Sequence, residues 1–167
     1  MPLDGFDHLI TWSEFSHQKT KPGGSDADGY TKAASKMSYA YGRGEGNAIV
    51  VKTADVTITM DTKQSWVVES KKTGELLQHE QGHYDITALG VREMYQSLLT
   101  AKARSTKALD DKIKKLQEAV QRKINATNSR YDEQTDHSQK KAEQEKWNKA
   151  ISAEKQKPDG ILDNLPQ

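Results

Sequence analysis

An α+β fold is predicted, and three features of the chain predict it. Apolar residues alternate with period two before about residue 72, and recur every three or four positions from Thr73 onward. Ten of the 11 glycines lie before residue 100, where short strands need turns. After residue 104 the chain is long, charged and striped with single apolar residues. The expected architecture is a small, mostly antiparallel sheet from residues 8–70 packed on a helix over 73–103. A helical hairpin over 104–157 extends it, and residues 158–167 form a loose tail. Residues 1–157 read as one domain, in keeping with a length of 167 residues.

The elements follow in order. His8–Trp12 is a strand candidate, followed by a polar, Gly-rich loop around residues 21–29. Met37 to Tyr41 alternates, and Gly42 to Asn47 is a turn. Ile49 to Val51 opens a second β stretch. Val56, Ile58 and Met60 alternate with Thr57, Thr59 and Asp61, which marks a half-buried strand. Ser65 to Val68 is a further short strand. Thr73 is placed to cap a helix, with Glu75 in its first turn. Tyr84, Ala88, Val91, Tyr95 and Leu98 form its core stripe. A second helix is expected from Ser105 to Ala126 on Leu109, Ile113, Leu116, Val120 and Ile124, with a break at Asn125–Ser129. A third covers Gln139 to Gln156 around Trp147 and Ile151, ended by Pro158 and Gly160.

Composition limits the chemistry. There is no cysteine, which excludes disulfides, thiol nucleophiles and thiolate metal sites. Any metal site must draw on the five histidines and the carboxylates. Net charge is +1, so overall charge does not nominate nucleic acid. Residues 1–99 carry 10 basic against 13 acidic residues, and residues 100–157 carry 15 against 9. The basic helices are interleaved with acidic residues and read as a solvated hairpin. No apolar run reaches the ~20 residues of a membrane helix, so no membrane insertion is expected. The segment Met1 to Asp7 is acidic, without the apolar stretch of a signal peptide.

One motif carries chemistry. His79-Glu80-Gln81-Gly82-His83 matches H-E-x-x-H, for which chance gives roughly 0.01 matches in a chain of this composition. On a helix, residues four apart share a face, so both imidazoles reach one metal ion. Glu80 lies beside that ion, where a carboxylate can take a proton from an activated water. A third ligand is needed. Ile86 and Leu89 stand where an extended motif would place Gly and His. Glu93 is about 15 Å further along the axis, and Asp85 points off the histidine face. His8 and His17 fall in a strand and a polar loop. His137 leads, because Tyr131 to His137 lies in the expected chain reversal between helices two and three. Asp132, Glu133 and Asp136 remain alternatives.

The chain resembles a family of uncharacterised bacterial proteins described as predicted secreted zinc-dependent proteases. The resemblance covers roughly residues 8–152. It rests on Trp12-Ser13-Glu14-Phe15, Ser65-Trp66-Val67, His79 to Ile86, and Tyr131 to His137. Ser138 stands where that family usually has Gly. The resemblance implies a zincin-like fold, Zn2+ held by His79, His83 and His137, and a secreted or periplasmic location. It also implies Tyr131 as a donor to the developing oxyanion, and Asp132 or Asp136 orienting an imidazole. Zincin folds offer a strand edge to an extended peptide, for which Val56 to Met60 or Ser65 to Val68 are the candidates.

The expected function is a zinc-dependent metallopeptidase with Glu80 as general base and a peptide or protein as substrate. The alternative is a non-catalytic zinc-binding interaction protein that uses its helical hairpin. Nucleic-acid binding through the basic helices is the weaker third reading.

Overall fold

The change of hydrophobic period at Thr73 is a change of structure in the computed structural model, which describes residues 3–167. The first part holds β1 (Leu3–Asp4), β2 (Ser16–Gln18), β3 (Gly29–Tyr30), β4 (Ala33–Arg43), β5 (Ile49–Met60) and β6 (Trp66–Val68). Then come α1 (Gly74–Thr100), β7 (Lys102–Ala103), α2 (Thr106–Thr135) and α3 (Lys141–Gln156). The α+β class is as expected. Among the described residues no helix is long and apolar enough to cross a membrane.

The strands form two mixed sheets, not one mostly antiparallel sheet. In the larger, β5 is central: β4 pairs antiparallel on one side, and β1 (parallel) and β7 (antiparallel) share the other. In the smaller, β6 lies between parallel β2 and antiparallel β3. Long connections returning from Asp4 and Gln18 make the parallel pairs, and residue alternation carries no sign of strand direction. Of the two segments expected to receive a peptide, Ser65 to Val68 is flanked on both sides, while Val56 to Met60 pairs with β4 throughout and with β1 only at Val56 and Thr57. Val56 to Met60 is inside β5 and Ser65 to Val68 is the middle of the small sheet. Among the longer strands, the one with an outer edge that no described strand pairs along its length is β4.

Three further expectations are corrected. His8–Trp12 is no strand, and Trp12 opens a 3-10 turn over Trp12–Glu14. The segment's backbone is held by a side chain: Ile10 N–H donates to Gln81 Oε1 (2.9 Å), and Gln81 Nε2 donates to the His8 carbonyl (3.1 Å). The break at Asn125–Ser129 does not exist, and α2 runs unbroken to Thr135. Asn, Thr and Ser are weak helix formers, but Ile124, Thr127, Tyr131 and Thr135 make a continuous buried stripe, and packing outweighs propensity. The tail is not loose. Leu162 and Leu165 are buried, and the Arg92 guanidinium donates to the carbonyls of Glu154 and Gly160.

The core has two parts. One lies between the large sheet and α1, around Val56, Ile58, Tyr84 and Leu98. The other lies among the helices and the tail, around Ile86, Leu89, Tyr131, Trp147 and Leu162. Thr73 caps α1 as expected, accepting from Leu76 N–H at 3.0 Å. This fixes the helix start six residues before His79, between the two cores.

Candidate metal centre

His79 and Glu80 are buried within the first turns of α1, and His83 follows one turn later. The helix alone would place the two imidazoles on one face. What aims them is the facing stripe of α2 and α3. His79 Nδ1 is 2.9 Å from Gln144 Oε1, and His83 Nδ1 is 2.7 Å from Asn128 Oδ1. An amide oxygen only accepts, so each Nδ1 carries a hydrogen and each Nε2 is the nitrogen that faces the shared site. The two Nε2 atoms are 3.2 Å apart.

Asp132 Oδ1 closes this arrangement. It is 3.1 Å from His79 Nε2, 3.0 Å from His83 Nε2 and 3.2 Å from His137 Nδ1. Ligands around a tetrahedral ion with bonds near 2.0 Å are about 3.3 Å apart. The His79–His83–Asp132 triangle matches that separation on all three sides. His79, Asp132 and His137 form a group that could hold a metal ion. The donor set therefore fits a bound cation.

The electrostatics agree with a cation-binding pocket. The hydrogen bonds and positive charge of the facing imidazoles outweigh burial and hold Asp132 well below the usual carboxylate range. Burial opposes charge on His83, yet Asp132 and the nearby Glu80 push it up to about 9. Glu80 moves the other way: burial raises it above 4.5, against the pull of His83 and His79.

The Glu80 carboxylate lies against Gly29 of β3 and close enough to His79 and His83 to feel their charge. A Cβ on Gly29 would lie 2.6 Å from Glu80 Oε1, so only glycine leaves room for this carboxylate. Glu80 Oε2 and the neighbouring Thr31 hydroxyl are both buried without a hydrogen-bond partner. The Thr31 hydroxyl is close enough to favour the charged form of Glu80, against the burial that opposes it.

Tyr131 is fully buried and stacks on His79, with ring centroids 4.6 Å apart. Its hydroxyl donates to the His79 carbonyl (3.1 Å) and accepts from Gln144 Nε2 (2.6 Å). Both of these hydrogen bonds are made inside the core and tie Tyr131, expected as an oxyanion donor, to His79 and Gln144. It approaches this closely because position 82 is glycine; a Cβ there would meet the Tyr131 hydroxyl. Asp136 and Glu133 are exposed and do not join the cluster. His137 does, from a turn in which Asp136, His137 and Ser138 all have positive φ (50°, 49° and 77°).

Sequence reasoning brought His79, Glu80, His83 and the 131–137 segment together. It ranked Asp132 too low and missed Gln144 and Asn128 altogether. Helical phase was the available signal: Asn128, Asp132 and Thr135 share a face once α2 is read as unbroken.

A cleft of about 250 Å³ opens beside His83 and Asp132, between Tyr30–Ala33 and α2. No curated protein and no solved structure matches the chain. The family described as "Bacterial protein of unknown function (DUF922)" matches residues 9–140, which span both sheets apart from β1, together with α1, α2 and His137, and the chain belongs to that family.

Proposed function

We propose that the protein is a zinc-dependent metallopeptidase. The observation that carries this reading is the pairing of a donor cluster with an unpartnered, buried carboxylate, Glu80, one residue from the first ligand. His79 and His83 would hold the ion through Nε2, Asp132 would provide a carboxylate oxygen, and His137 would complete the set. Imidazole nitrogen with one carboxylate oxygen suits zinc. When bound, zinc supplies Lewis acidity toward a water molecule and a scissile carbonyl. Glu80 takes the proton of the attacking water and passes it to the nitrogen of the breaking C–N bond, so the amine leaves neutral. Tyr131 and Gln144 hold His79 in place.

A non-catalytic metal site is the second reading, favoured by one observation: four protein donors converge, which is the count of a closed structural site. Glu80 separates the two, because a structural site has no use for it. Wild type and Glu80→Gln are compared for zinc content and for cleavage of casein and a mixed peptide library. The peptidase reading expects equal zinc in both proteins and cleavage by wild type alone. Zinc in both with cleavage by neither leaves the structural reading.

A further inference from the structure

The cleft beside the metal centre does not end there. A second hollow of about 390 Å³ lies further along α2, and Gln121 and Ile124 line both. The two share one set of walls. The floor is a single stripe of α1, His83, Thr87, Val91 and Met94, spaced by three or four residues. One wall is α2. The other is the face of β4 that carries Ala33, Ser35 and Met37, every second residue. The chemistry changes along the groove. Near the metal the lining is His83, Thr87, Asn128 and Asp132. At the far end it is Met37, Val91, Met94, Val120 and Ile124, with Gln117 and Glu118 exposed at the rim.

We propose that this far hollow is a specificity subsite that takes one large apolar side chain, Leu, Met or Phe, of an extended peptide whose scissile bond lies at the metal centre. The proposal rests on the peptidase reading and adds its substrate preference. The distance sets the register. Asp132 and Gln121 are 11 residues apart on α2, about 16 Å along its axis. An extended peptide covers that in about five residues. The outer edge of β4, unpaired among the described residues, runs along the same path. Two methionines in the lining suit unbranched and aromatic side chains alike.

The test digests a mixed peptide library with zinc-loaded wild type and with Met37→Glu, and sequences the products. The expected result is enrichment of Leu, Met or Phe by about tenfold at one fixed position four to six residues from the cut. In Met37→Glu that enrichment falls below about twofold while the residues flanking the cut stay the same. A flat distribution at those positions, or a preference unchanged by Met37→Glu, overturns the subsite. A second measurement does not depend on catalysis. Methionine-methyl NMR of zinc-loaded Glu80→Gln is titrated with two hexapeptides that differ only in Leu or Asn at the fifth residue. Saturable shifts of the Met37 and Met94 methyls with the Leu peptide alone support the subsite, even if no cleavage is ever found. No shift with either peptide removes it.

Discussion

His79 Nδ1 and Gln144 Oε1 lie 2.9 Å apart, 65 residues distant in sequence, and both side chains are buried. Gln144 also donates to Tyr131, which donates to the His79 carbonyl. One amide on α3 therefore fixes the ring of the first ligand, its tautomer and the tyrosine that stacks on it. Gln144→Leu removes the acceptor with little change in volume. Zinc affinity is expected to fall about 10- to 100-fold, measured by competition with a chromogenic chelator. Tyr131→Phe keeps the ring stack and is expected to lose less. Equal affinity in Gln144→Leu and wild type would show that the hydrogen bond does not set the site.

The order of the donors can be read the same way. Asp132 lies within 3.2 Å of three imidazoles, whereas His137 meets the cluster through Asp132 and edge-on to His79 and is about one-third exposed. Asp132→Ala is expected to lose stoichiometric zinc. His137→Ala is expected to keep it with about 10-fold weaker binding. Unchanged zinc affinity in His137→Ala would remove His137 from the ligand set.

Gly29 leaves the space in which the Glu80 carboxylate sits. Gly29→Ala places a methyl against Oε1 from a separate strand, without touching a ligand. Hydrolysis is expected to drop by about 100-fold from the displaced base, with zinc content unchanged. Loss of zinc along with activity would mean that the strand as a whole had moved.

Ser138 holds φ at +77°, a left-handed conformation that favours glycine. Ser138→Gly relieves that strain. It is expected to raise stability by about 0.5–1 kcal/mol, or about 1–4 °C in Tm by calorimetry. A lower Tm would show that the serine hydroxyl contributes more than the backbone strain costs.

Glu154 ties down the tail. Burial opposes its charge, but Lys157, the Asn164 amide and the Ile161 N–H outweigh it and hold the carboxyl below 4.5. A folded pKa below the unfolded one means the stabilisation is present at neutral pH and is lost as pH falls through the acid range below 4.5. Amide hydrogen exchange at Leu162 and Leu165 is expected to accelerate there relative to the centre of α1. Glu154→Gln is expected to exchange fast at neutral pH as well and to lose most of this pH dependence.

Much of this was legible in the residues themselves. Period two against period three or four separated the β part from the helices, because alternation and helical phase are local properties. Thr73 marked a helix start through a side chain that caps its own backbone. H-E-x-x-H put two imidazoles on one face because four residues make about one helical turn. What lay beyond the sequence was everything set by contacts between distant segments. Strand direction was one such case: a two-residue pairing of Leu3 and Asp4 with Val56 and Thr57 made the sheet mixed. Packing carried α2 through a run of weak helix formers, and that continuation brought Asn128 and Asp132 to the histidines. The tail docked because Leu162 and Leu165 found a core that no local pattern announces. A helix presents two ligands by its own geometry, but the atoms that orient and complete them come from other segments, and only tertiary packing decides which.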